Sequence, residues 1–106
     1  MPKFLVIGSY TAEGAKGVLA EGGTGRRKAT EQLISSIGGK VESYYFGLGA
    51  DDFYLIADVP STEAIVAATL TGASHGGLTA RTIPLLSPEQ IDAAIRISPS
   101  YRKPGS

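Results

Sequence analysis

Hydrophobic positions along this chain switch between a two-residue and a helical period, and the switches mark its elements. Phe4 to Tyr10 has the character of a half-buried strand, predicted near 3–10. A long, mostly helical stretch follows near 12–37, with Thr11 as its N-cap. Gly22, Gly23 and Gly25 puncture it. Each glycine costs roughly 1 kcal/mol in a helix interior, so a break is expected across 22–25. Helix resumes near Arg26 on a stripe of Ala29, Leu33 and Ile37 beside Thr30 and Ile34, and Gly38-Gly39 caps it. Strands are predicted near 40–48 and 52–59 around the turn Gly49-Ala50-Asp51, which is short enough to make them an antiparallel hairpin. Pro60-Ser61 opens a helix over 61–73, and a fourth strand follows near 78–86. Ser87-Pro88-Glu89-Gln90 combines a serine cap, proline in the first turn and a capping-box glutamine. It starts a helix over 88–97 in which Ile91, Ala94 and Ile95 are expected to face inward. Residues 1–98 form the single domain, and 99–106 a loose tail.

This order is β-α-β-β-α-β plus a C-terminal helix. The central hairpin and right-handed crossovers require a four-stranded antiparallel sheet with both helices on one face, the ferredoxin-like arrangement. The other face is left bare. On the third strand, Phe53, Leu55, Ala57 and Val59 form a wholly apolar set that should meet the helices. Tyr54, Ile56 and Asp58 then point away. Which residues of the second strand join them depends on the hairpin register. A three-residue loop puts Glu42, Tyr44 and Phe46 there, and a two-residue loop puts Val41, Ser43 and Tyr45 there. Either way the open face is aromatic and acidic together. Two such faces packed against each other would bury the aromatics and enclose a pocket with apolar walls and a few polar groups. A homodimer is therefore expected.

Composition narrows the function. The chain has 106 residues, with Lys+Arg 10 and Asp+Glu 10, so it lacks the basic excess usual for a nucleic-acid-binding protein. No stretch approaches the ~20 apolar residues of a membrane span, and the N-terminal apolar run is short for a signal peptide. Cys is absent, which excludes disulfides, thiolate metal sites and a cysteine nucleophile, and suits a cytoplasmic setting.

The candidate chemistry is sparse. Gly22-Gly23-Thr24-Gly25-Arg26-Arg27-Lys28 gathers glycines and three cations where a helix resumes, a setting that favours an anion. It fits neither the P-loop nor the dinucleotide fingerprint. The one histidine, His75, sits in a glycine-rich loop. No metal site and no cofactor are expected. Tyr54 and Asp58 lie on the same side of one strand, roughly 13 Å apart, so both would touch one mid-sized ligand without bonding to each other. They are the candidate acid–base residues, with His75 at the rim. Tyr44, Tyr45 and Arg27 are the candidate ligand-binding residues.

Leu48-Gly49-Ala50-Asp51-Asp52-Phe53-Tyr54-Leu55-Ile56-Ala57-Asp58-Val59-Pro60 resembles the centre of the GYD domain family, small proteins of the dimeric α+β barrel type. That family shows Gly-x-Tyr-Asp, an apolar strand, then Glu-x-Pro. Here Gly49 and Asp52 match, Asp51 replaces the tyrosine, and Asp58 stands for the glutamate before Pro60. Arg27, Gly38-Gly39, Gly76-Gly77, Thr82-Ile83-Pro84-Leu85-Leu86 and Glu89 extend the resemblance from about Phe4 to Ala94. It implies the fold and a homodimer, but no common activity. Two functions are carried forward. One is a dimer that binds or responds to a small molecule. The other is an enzyme working without a cofactor through Tyr54 and Asp58, or a haem-binding barrel using His75.

Overall fold

Phe4, Val6 and Gly8 alternate with Leu5, Ile7 and Ser9, and this alternation makes β1 (Lys3–Tyr10) an inner strand with two dressed faces. A computed structural model describes residues 1–106. After β1 come α1 (Ala12–Ser36), β2 (Lys40–Phe46), β3 (Phe53–Asp58), α2 (Thr62–Ser74), β4 (Leu78–Leu85) and α3 (Pro88–Ile95). The four strands form one antiparallel sheet in the order β2-β3-β1-β4. This is the expected ferredoxin-like α+β fold.

One face of the sheet carries the core. Phe4 and Val6 from β1, and Phe53, Leu55 and Ala57 from β3, pack with Val59, Ile34 of α1, and Ile65 and Ala68 of α2. All nine are buried. Both long helices begin on side-chain caps: Thr11 Oγ1 accepts from the Gly14 N–H, and Ser61 Oγ from the Ala64 N–H.

Two local features depart from expectation. The break in α1 is confined to Gly22, whose φ of 79° and ψ of 166° lie in a region open essentially to glycine alone. Gly23 and Gly25 stay helical, because the single kink already redirects the axis. In the hairpin, the Gly47 N–H donates to the Asp52 carbonyl and closes a four-residue loop, 48–51. Tyr45 pairs with Tyr54 and Ser43 with Ile56, but Val41 pairs with Ala57. The register shift between Val41 and Ser43 is a bulge, which reverses the parity of the strand. Tyr45 and Ser43 therefore share the open face, while Tyr44, Phe46 and Val41 lie on the helix side. The expectation that Val41 would join Tyr45 on the open face is corrected by that bulge.

A larger correction concerns α3. Its capping box is present as expected, with the Ser87 N–H donating to Gln90 Oε1 and the Gln90 N–H to Ser87 Oγ. Yet Ile91, Ala94 and Ile95 do not face inward, since every residue from Pro88 to Ser106 is exposed. Only Leu86 and Ser87 separate β4 from α3, and the helix runs on from the strand end instead of turning back over the sheet. The radius of gyration is accordingly 17.1 Å, against about 13 Å for a compact chain of ~100 residues. An apolar helical stripe is thus left without a partner in its own chain.

The Gly22 kink gives a direct test. Gly22→Ala forces a β-carbon onto glycine-only backbone and should lower stability by about 1–3 kcal/mol in urea unfolding. Gly17→Ala has equally open surroundings but no such backbone, and should raise stability by about 0.5–1 kcal/mol. Equal losses for the two variants would refute a special backbone role for Gly22.

Candidate functional site

The sheet separates two candidate sites. The open face begins at a charged end, where Lys3 Nζ lies 2.8 Å from Glu42 Oε1 and 3.0 Å from Asp58 Oδ1. The bulge makes this cluster by bringing Glu42 round to the side where Lys3 and Asp58 already pair. Hydrogen bonds donated to Glu42 and then Asp58 hold the Lys3 ammonium above its ordinary pKa. Asp58 is thereby engaged with a cation. At the other end Tyr45 stands beside Tyr54, 70% and 38% exposed. Between them run Leu5, Ile7, Ile56 and Ile83. Asp51 folds over the edge of this face and takes Arg81 Nη2 at 3.1 Å.

The other site is a cavity of about 90 Å³ between the helices and the inner face. Val6, Phe53 and Leu55 form its floor, and Ile34, Ile65 and Ala68 its roof. Its polar end is made by Tyr10, Tyr44 and Arg26. The two tyrosine hydroxyls lie 3.3 Å apart and share a hydrogen bond. They come from β1 and β2, strands separated by β3, and Phe53 spaces them. Its ring stacks on Tyr44 at 6.1 Å with 8° between planes, and meets Tyr10 at 5.3 Å. Arg26 stands one turn beyond the Gly22 kink, its side chain 31% exposed, with Nη1 3.2 Å from Glu21 Oε1.

Burial, and then the bond to Tyr44, push the Tyr10 hydroxyl far above the ordinary tyrosine range, while Arg26 opposes the rise. Tyr10 therefore keeps its proton throughout the physiological range. Its backbone is held as firmly. The Tyr10 N–H donates to Asp52 Oδ2 at 2.8 Å, and the Asp52 N–H to the Gly8 carbonyl at 2.8 Å.

That bond gives the Asp52 position of the Leu48–Pro60 segment a structural task. A family model of the GYD domain matches residues 4–95. The chain belongs to the GYD domain family. No curated protein matches it. The limits of the family match coincide with the four strands and three helices, leaving only the terminal residues outside.

Within this GYD domain the residues singled out from sequence are dispersed. Tyr54, Asp58 and Tyr45 share the open face. Tyr44 lies on the opposite side, in the cavity. Arg27 is exposed and borders a shallow depression with Gly23, Thr24, Tyr44, Tyr45 and Phe46, the one place where the three candidate ligand-binding residues meet. His75 caps the end of α2 and is exposed, distant in the fold from the Lys3–Asp58 end of the sheet. No group of three His, Asp or Glu side chains is placed to hold a metal. No helix is long and apolar enough to cross a membrane. Sequence reasoning passed over Tyr10, and singled out Arg26 only as one of three cations where the helix resumes. The alternation Phe4-Val6-Gly8-Tyr10 carried the first signal, since it puts Tyr10 on the core side at a strand end.

The titration of Tyr10 makes a prediction. A hydroxyl whose folded pKa is raised contributes stability that is whole below about pH 10 and lost as pH rises further. Lys3 acts in the same direction. The urea midpoint should therefore fall between about pH 9 and about pH 11.5. Tyr10→Phe should fall less steeply, and a curve parallel to wild type would remove Tyr10 from the account.

Proposed function

We propose that this GYD domain is a cytoplasmic homodimer that binds a small molecule, with the ligand seated in the cavity between the helices and the sheet. The observation that carries the ligand reading is the cavity itself. Its walls are mostly apolar, with a few polar side chains among them, Tyr10, Arg26, Thr30, Tyr44 and Thr69, the usual character of a small-molecule site. The open face instead supports the dimer. Leu5, Tyr54, Ile56 and Ile83, ranged about the buried Ile7, form an apolar patch of a kind that monomers seldom leave in water. Four strands of this length present roughly 450 Å² of flat area, short of the ≈ 800 Å² each partner gives to a standard interface. The stripe on α3, which nothing in its own chain covers, supplies the remainder when it lies across the second copy. In this reading Tyr54 and Asp58 serve the interface: Tyr54 packs across it and Asp58 fixes Lys3 at its edge. The Cys-free composition suits a reducing compartment.

Two experiments test the reading. Light scattering at micromolar concentration should give a dimer mass. Ile56→Lys places a charge at the centre of the patch, and should give a monomer or an aggregate. A monomeric wild type would overturn the dimer. For the ligand, Ala68→Leu adds three carbons to the cavity roof, about the volume the cavity holds. It should preserve the thermal midpoint and abolish the stabilisation that millimolar 3-methylbutanol gives the wild type. If the wild type gains nothing from 3-methylbutanol, the cavity does not bind.

A further inference from the structure

The cavity's polar end specifies more than size. The single bond between Tyr10 and Tyr44 uses one of their two hydroxyl hydrogens, whichever donates. The other is left for an acceptor. Arg26 adds a guanidinium of which one N–H is engaged, by Glu21, in a partly exposed pair. Such pairs contribute at most about 1 kcal/mol, so a ligand group that bonds Arg26 better can displace Glu21. The tyrosine pair thus offers one free hydroxyl hydrogen beside Arg26, and Arg26 is the only charged residue lining the cavity. A planar acceptor with two oxygens matches a single guanidinium and a hydroxyl. A dianionic phosphate would need more cations than the one the cavity offers. The apolar part has room for about three water volumes of ~30 Å³ each, which limits the ligand to a short chain or one small ring.

We infer that the cavity takes a short apolar monocarboxylate of roughly four to six carbons, sized by that volume, its chain between Phe53 and Ile65 and its carboxylate against the Tyr10–Tyr44 hydroxyls and Arg26. This rests on the cavity being the ligand seat. Glu21 is then the competitor that holds Arg26 while the cavity is empty of carboxylate. Its position just before the Gly22 kink, with Arg26 one turn after it, makes the exchange a local movement of two side chains.

The test uses the full chain, NMR titration and three probes of one shape: 3-methylbutanoate, 3-methylbutanol and 3-methylbutylamine. The carboxylate should bind at least tenfold more tightly than the alcohol, the worth of a charge-assisted hydrogen bond, and the amine most weakly. Arg26→Met should remove most of the carboxylate's advantage and cost the alcohol far less. Glu21→Gln should tighten the carboxylate severalfold and do nothing for the alcohol, a gain that a merely structural role for Glu21 would not produce. Both substituted side chains are partly exposed, so the fold should persist, and circular dichroism checks it. Equal affinity for carboxylate and alcohol, or an unchanged preference in Arg26→Met, overturns the carboxylate assignment and leaves the cavity standing. Failure of all three probes overturns the cavity as a ligand seat.

Discussion

The contact between the Phe53 ring and the backbone of Gly8 is the constraint on which the inner face depends. A β-carbon at Gly8 would lie 2.1 Å from Phe53 Cζ, far inside any allowed approach. Without one, the ring settles over β1. From there it stacks on Tyr44 and tilts against Tyr10, and so bridges two strands that do not touch. The 3.3 Å separation of the tyrosine hydroxyls follows from that placement. Asp52, next to Phe53 in sequence, locks the same junction from the main chain through the Tyr10 N–H and the Gly8 carbonyl. One glycine, one ring and one carboxylate therefore set both the end of the core and the polar end of the cavity.

Local rules made most of the fold legible, because the elements obey them. The apolar set Phe53-Leu55-Ala57-Val59 is buried throughout, and the serine and threonine caps sit where their side chains bond the next turn. The hairpin register was not legible. It turns on a four-residue loop and on a bulge at Glu42, which is explained by the pairing of Glu42 with Lys3, a residue distant in sequence. α3 misled for a different reason. An apolar stripe on a capped helix says that something covers it, and cannot say whether the cover lies in the same chain. The candidate site was the least legible part. Tyr10, Tyr44 and Arg26 come from a strand end, an edge strand and the turn after a kink, and share no spacing that a sequence pattern detects.

Dividing the sheet into two faces separates assembly from binding. The helix side is closed by its own chain except for the cavity, whose donors all belong to residues held in place by intrachain contacts. The open side has a patterned surface, ion-paired at one end and aromatic at the other, and lacks an intrachain cover. A ligand on the inner face and a partner on the outer one would touch the same strands from opposite sides. Phe53 and Tyr54 are adjacent on β3 and point to opposite faces, one into the cavity floor and one into the proposed interface. A ligand that displaced the Phe53 ring would press on the same stretch of main chain that carries Tyr54. Tight packing around Gly8 leaves that ring little freedom to absorb the displacement by itself. β1, β3 and β4 each contribute to both the cavity and the outer patch, and are the elements through which occupancy of the cavity and docking of a second copy would share free energy.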